Sequence, residues 1–375
     1  MRYATILYNH FFPKSFLLRM FLLLIILIAC VSIGLSYSHL FGFVSATGFV
    51  SATGFASASK QELILNGHPF RFVGVNRYNL LSSNNHDRSC GESWTQQELD
   101  QYFAEMKQLN ITAIRFWAFQ HFTNGTDFSA FDYLISLSEK YNIKLIPTLE
   151  NQWSDCTQGG YKYDSWYRSG YLTPYGNYRL SFKNYLKIIV SRYKNSREIL
   201  MWQIMNEAES KDTNDNQDFQ ALYSFAKDIS SYIKSLDSNH LISLGTIGTS
   251  QPGTQGDDYR RLYALSTIDV LEYHDYNDET SPFPNYLSQR FEDSKVLNKP
   301  LFIGEAGIMS HCTGTGCYTQ QQRADLFKAK MSAFFREGGV GYLIWSYRDN
   351  YHNADQFYEF DASDPLAQVV RSFAS

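Results

Sequence analysis

The sequence predicts a (β/α)8 TIM barrel of the α/β class. Three observations carry that prediction. From residue 59 onward, eight short apolar runs alternate with longer amphipathic ones. The short runs are nearly continuous, as suits strands buried on both faces of a parallel sheet. Polar and ionisable residues recur where these runs end, which is where such barrels place their chemistry. A chain of 375 residues accommodates one barrel, which needs about 250.

The N-terminal segment is of a different kind. Residues 1–58 hold Arg2, Lys14 and Arg19 and no acidic residue. The uncharged run 20–35 (MFLLLIILIACVSIGL) follows the basic flank, the pattern of a secretory signal. It is shorter than the roughly 20 residues that comfortably span a bilayer. Residues 1–40 are therefore assigned to a signal peptide, with an uncleaved signal-anchor as the alternative. Three near-identical hexads follow, GFVSAT, GFVSAT and GFASAS, ending at Ser59. They are too short to bury a core, and residues 41–59 read as a low-complexity linker. The barrel domain is then 60–375.

Within that domain, 62–66 (ELILN) and His68 predict a small hairpin at the barrel bottom. The strand candidates are 70–75, 113–118, 144–149, 199–204, 241–246, 270–273, 301–303 and 341–345. Amphipathic helices are predicted over 98–109, 131–141, 178–193, 219–236, 284–297 and 320–336, with a weaker pattern over 259–265. An open doubly wound sheet is the alternative. No G-x-G-x-x-G follows a strand, so a dinucleotide fold has little support.

Charge and cysteine use narrow the function classes. The chain carries 33 Lys+Arg against 37 Asp+Glu, and its basic leader makes the remainder more acidic still. With no basic run, nucleic-acid binding is disfavoured. Four cysteines lie beyond the leader, an even number that suits an oxidising compartment. Cys312 and Cys317 flank a small-residue loop and suggest a local disulfide, which leaves Cys90 with Cys156. A zinc site lacks the paired C-x₂-C spacing. Asn110 and Asn124 head glycosylation tripeptides that serve if the body is exported.

Strand ends supply the chemistry. They carry Asn76-Arg77-Tyr78, Arg115 with Trp117, Glu150 to Trp153, Asn206-Glu207, His274-Asp275-Tyr276, Glu305, and Trp345 with Tyr347-Arg348. Glu207 and Glu305, on strands four and seven, face each other across a barrel mouth. Two such carboxylates are what glycoside hydrolysis needs: one protonates the leaving oxygen, the other attacks or activates water. A carboxyl separation of about 5–5.5 Å gives retention, and roughly 6.5–9.5 Å inversion. Scattered histidines (His86, His121, His274, His311) give a metal-dependent hydrolase little support, and no cofactor or metal is required.

The string 202–207 (WQIMNE) resembles the W-x-x-x-N-E signature of glycoside hydrolase family 5. The resemblance extends over about 62–373. It includes Asn66-Gly67, 75–78 (VNRY), 114–119 (IRFWAF), His274-Asp275-Tyr276, 304–307 (GEAG) and Trp345. Within the family, 115–119 and the segment from Gly159-Gly160 to Tyr163 and Trp166 are most similar to endo-β-1,4-mannanases. The resemblance implies a retaining mechanism with Glu207 as acid/base and Glu305 as nucleophile. It implies that Asn206 binds the substrate 2-OH, and that Arg115 and Tyr276 keep Glu305 ionised. His274 bridges the site, and Trp345 lies beneath the sugar. Trp117, Trp153 and Trp166 are candidates for flanking subsites or for core packing. Glu207 is expected to have a raised pKa.

Two positions depart from the family pattern. Ala208 stands where the family has Pro, and Glu150 where mannanase-like sequences have an uncharged residue. Glu150 has three readings: a sugar contact, a perturber of Glu207, or a partner of a nearby cation. The expected enzyme is a monomer acting on a β-mannan polysaccharide, secreted, with a membrane-anchored or lysosomal location as alternatives. A β-1,4-glucanase, an exo-β-mannosidase with a cleft closed by loop 310–320, and a non-catalytic polysaccharide-binding barrel are the competing functions.

Overall fold

A computed structural model of the chain describes residues 54–82, 90, 93–277, 283–310, 312, 316–348 and 357–374. The predicted leader, residues 41–53, His86 and His311 lie outside the described residues. Among the described residues, no helix is long and apolar enough to cross a membrane.

The body begins with an antiparallel sheet of β1 (Ala56–Ser59), β2 (Glu62–Leu65) and β3 (His68–Phe70). The Asn66-Gly67 turn joins β2 to β3, a two-residue link that fixes hairpin register. β1 corrects the linker boundary, because the third hexad is structure. Its small side chains let it lie along β2, with Ala56 opposite Leu65 and buried.

Eight parallel strands follow: β4 (Phe72–Asn76), β5 (Ala113–Trp117), β6 (Lys144–Thr148), β7 (Met201–Gln203), β8 (Leu241–Ser243), β9 (Leu271–Asp275), β10 (Leu301–Ala306) and β11 (Gly341–Ile344). Their order is β8-β7-β6-β5-β4-β11-β10-β9. A parallel bridge from Ser243 to Val270 brings β8 to β9 and closes the barrel. The first barrel strand starts at Phe72 rather than Phe70, because Phe70 belongs to the hairpin.

Each barrel strand is followed by a helix: α1 (Gln96–Gln108), α2 (Ser129–Tyr141), α3 (Phe182–Tyr193), α4 (Phe219–Leu236), α5 (Asp257–Tyr263), α6 (Asn285–Leu297), α7 (Gln320–Arg336) and α8 (Pro365–Phe373). Local chemistry sets their starts. Thr95 with Glu98, and Thr319 with Gln322, form reciprocal capping boxes on α1 and α7. Ser181 caps α3, so that helix starts four residues later than its apolar pattern suggested. The sequence reading missed α8, which Asp364 caps with Pro365 in its first turn.

The core has two parts. Ala56, Leu63, Phe72, Leu200, Met201, Val270, Phe302 and Val340 pack together where the hairpin sheet meets the N-terminal strand ends. A larger cluster fills the space between the barrel and its helices. The barrel bottom is thereby plugged with apolar groups, which leaves the other end for polar ones.

Candidate active site

Strand periodicity aims the polar residues. On β9, Glu272 and His274 share one face, while Asp275 points out to Lys330 on α7, 2.9 Å away. His274 and Glu305 stand opposite in the β9–β10 register, and Asn76 opposite Arg115 between β4 and β5.

Arg115 is fully buried, and all three of its guanidinium nitrogens donate to neighbours. One terminal nitrogen reaches Glu305 Oε1 at 2.6 Å and Asn76 Oδ1 at 2.8 Å. The other reaches Asn206 Oδ1 at 2.7 Å, and Nε reaches Gln203 Oε1 at 2.8 Å. The Tyr276 hydroxyl donates to Glu305 Oε2 at 2.7 Å. Glu305 is thus held by a guanidinium on one oxygen and a phenol on the other. Both favour the carboxylate form.

Glu207 sits directly after β7. His274 Nδ1 lies 2.8 Å from its Oε1, and Trp153 Nε1 donates to its Oε2 at 2.7 Å. His274 Nδ1 is also 3.6 Å from Glu305 Oε2, so the imidazole bridges the two carboxylates. A carboxylate oxygen of Glu207 and one of Glu305 lie within 4.8 Å of each other.

The expectation of a raised Glu207 pKa does not hold for this resting arrangement. Burial pushes the carboxyl up, but the His274 hydrogen bond and charge, the Trp153 N–H and Arg115 outweigh it, and the net direction is down. For His274, burial pushes the other way. The Glu305 charge and the bonds to Glu207 and Glu272 prevail, and its pKa is pushed up to about 10. Both directions favour a charged Glu207 beside a protonated His274.

Backbone shape places Glu207. Its φ is 56°, and the N–H of Ala208 donates to Gly245 O at 2.8 Å. A proline at 208 would remove that bond, so the departure from the family pattern has a local use. Gly245 has φ +85°, and a Cβ there would lie 1.7 Å from Met205 O. Only glycine lets β8 approach the chain that carries Asn206 and Glu207.

Glu150 takes the cation reading. Buried Lys162 lies 3.3 Å from Glu150 Oε1, which also accepts from Thr157 Oγ1 and the Asn151 N–H. Asn151 Oδ1 in turn accepts from Asn206 Nδ2 at 3.0 Å. The Cys90–Cys156 disulfide fastens this loop to the segment after β4, and Cys312–Cys317 forms as well. Asn110 and Asn124 are exposed at surface turns.

The tryptophans separate into two groups. Trp345 is half-buried and stacks with Tyr78 at 6.1 Å, with Trp117 6.2 Å from Trp345 and 4.9 Å from Tyr78. Trp153 is half-buried and begins an aromatic row that continues through Tyr161 to exposed Tyr163. Trp166 takes the core-packing reading: it is buried against Phe182 and Phe225.

Glu207, His274 and Glu305 also have the spacing of a cation site. Their contacts with one another, and the Arg115 guanidinium 2.6 Å from Glu305, already engage these atoms. The sequence reading missed the groups beneath them: Gln203, Ser243 and Glu272. Their signal was polarity inside otherwise apolar strands.

Comparison with known proteins agrees with this geometry. A family model described as cellulase (glycosyl hydrolase family 5) matches residues 65–351. Mannan endo-1,4-beta-mannosidase A of Aspergillus aculeatus is 27% identical over 66% of this chain and 72% of its own. Mannan endo-1,4-beta-mannosidase 5 of Solanum lycopersicum is 28% identical over 75% and 78%. The endo-1,4-beta-mannanase of Rhizomucor miehei shares the fold, with a TM-score of 0.68 and 24% identity over 85% of this chain and 98% of its own.

Proposed function

Because the chain belongs to glycosyl hydrolase family 5, we propose that it is a retaining endo-β-1,4-mannanase in which Glu207 is the acid/base and Glu305 the nucleophile. One observation carries the mechanism: the two carboxylates approach within 4.8 Å, each held by a different set of partners. That separation suits direct attack and leaves little room for an intervening water.

Glu305 attacks the anomeric carbon while Glu207 protonates the departing glycosidic oxygen. The leaving chain departs with that proton, and a glycosyl ester forms on Glu305. A water molecule then enters. Glu207 takes its proton as the oxygen bonds to the anomeric carbon, and Glu305 leaves as carboxylate. Asn206, pinned between Arg115 and Asn151, is placed for the 2-OH. Trp345, backed by Tyr78 and Trp117, supplies the platform under the sugar, and Trp153 is suited to the leaving side beside Glu207. The relatives' names support mannan as the polymer. Secretion suits two disulfides, which persist in oxidising compartments.

The test is a product profile of the secreted chain on β-mannan and β-1,4-glucan side by side, with Glu305→Gln as control. Short manno-oligosaccharides from mannan alone, absent in the control, are expected. Cleavage of glucan alone would overturn the substrate and keep the carboxylate assignment.

A further inference from the structure

Glu272 has no part in the chemistry just described, yet it is a fully buried acid beneath the site. It lies two residues before His274 on β9, with Oε1 3.1 Å from His274 Nε2. The same oxygen accepts from Gln203 Nε2 at 2.5 Å, and Oε2 accepts from Ser243 Oγ at 2.9 Å. Gly304 on the adjacent strand β10 has no side chain to obstruct it: a Cβ there would lie 1.9 Å from Glu272 Oε1. A carboxylate is costly to bury without partners, and this one is given two donors, a ring nitrogen at hydrogen-bond distance and a cleared space.

The geometry also links the two halves of the site. Gln203 accepts from Arg115 Nε and Thr148 Oγ1, and donates to Glu272. Orientation of the amide is thereby fixed, and one buried row runs from Glu305 through Arg115, Gln203, Glu272 and His274 to Glu207. Around the imidazole stand Glu207 after β7, Glu305 on β10 with Arg115 of β5 and Tyr276 behind it, and Glu272 on its own strand. Glu272 itself is faced by Ser243 of β8 and, at longer range, by Tyr263 of α5.

We propose that Glu272 is a positioning residue that fixes a proton on His274 Nε2 and so makes His274 Nδ1 the site that exchanges a proton with Glu207. This rests on Glu207 being the acid/base. In the resting enzyme Nδ1 carries the shared proton. It passes to Glu207 Oε1 as substrate binds, leaving neutral imidazole with its Nε2–H on Glu272. Glu207 gives that proton to the leaving oxygen. In the second half-reaction Glu207 gains a proton from water and returns it to Nδ1, which restores the starting state.

Glu272→Gln keeps the shape and removes the charge. Its effect is read on mannohexaose, whose leaving group needs protonation, and on a dinitrophenyl β-mannobioside, whose leaving group does not. The proposal expects the basic limb of kcat/KM to move down by about one pH unit, with kcat on mannohexaose falling on the order of tenfold. Loss on the dinitrophenyl substrate stays small in the glycosylation burst. An unmoved basic limb, or equal loss on both substrates, overturns it. Glu207→Gln run beside it separates the premises. If Glu207→Gln still cleaves mannohexaose, the acid/base reading fails; if only Glu272→Gln is silent, the positioning role fails alone. Imidazole nitrogen NMR on the unmutated chain needs no folded variant: Nε2 of His274 is expected protonated throughout, and a neutral Nδ1–H tautomer would overturn the proposal.

Discussion

Trp153 Nε1 lies 2.7 Å from Glu207 Oε2, on the side of the carboxylate away from His274. The donor favours the charged form of Glu207. Trp153→Phe keeps a ring and removes the donor. Its loss is expected to raise the Glu207 pKa and to lower kcat about tenfold, the size of one hydrogen bond to a charged group. A pH profile of kcat/KM on mannan oligomers checks the direction. A downward shift would contradict the assignment.

Arg115 spends its guanidinium on four acceptors without exposure to water. Arg115→Ala leaves Glu305 buried without its guanidinium partner, and should cost on the order of 3–5 kcal/mol of stability. Arg115→Lys keeps the charge but loses the fork. It is expected to fold and to lose kcat far more than it raises KM, as melts and steady-state kinetics would reveal.

The two disulfides should differ in worth. Cys90–Cys156 closes a loop with a sequence separation of 66, whereas Cys312–Cys317 spans only 5. Loop-closure entropy assigns roughly 4 kcal/mol to the first and roughly 2 to the second. The Cys90→Ser/Cys156→Ser pair should also lower kcat, since it frees the loop that carries Trp153. Unfolding in urea, with activity measured in the folded baseline, distinguishes the two pairs.

Gly245→Ala places a methyl group against the Met205 carbonyl at a left-handed φ. Backbone must move there, and the chain that moves carries Asn206 and Glu207. Activity should fall by more than tenfold with a lower melting temperature, a cost of a few kcal/mol for strain at a positive φ. Full activity would show that the turn is not needed to place Glu207.

The ion pair of Glu207 and His274 predicts how stability follows pH. Glu207 is lowered from 4.5, so its share is present above that value and lost as pH falls below it. His274 is raised from 6.5 to about 10, so its share is complete below 6.5 and disappears as pH rises toward 10. The melting-temperature difference between the unmutated chain and Glu207→Gln should therefore be greatest between 4.5 and 6.5 and should shrink on both sides.

Much of the site was legible because strand ends announce themselves. Glu207, Glu305, Asn206, His274 and Tyr276 follow apolar runs, Arg115 interrupts one, and a barrel brings such strands together. Glu272 was hidden for the opposite reason. It lies inside the run 270–273, where its neighbours decide the strand and its own charge looks incidental. The spacing to His274 is the signal: two residues on one strand face are neighbours. Trp166 stayed open between two readings because an aromatic residue reads alike in a cleft or a core. The third hexad misled because small residues carry no periodicity, and its strand exists only by pairing with β2.

The hairpin sheet at the barrel bottom bears on how the molecule can be held. The chain enters the body at Gly54, where a Cβ would lie 3.2 Å from Arg197 Cδ, just ahead of β7. Glu207 and Glu305 open at the far end of the same strands. A support coupled at Gly54 itself would therefore hold the enzyme at the face opposite the carboxylates, and that attachment would not compete with a polysaccharide for the groove.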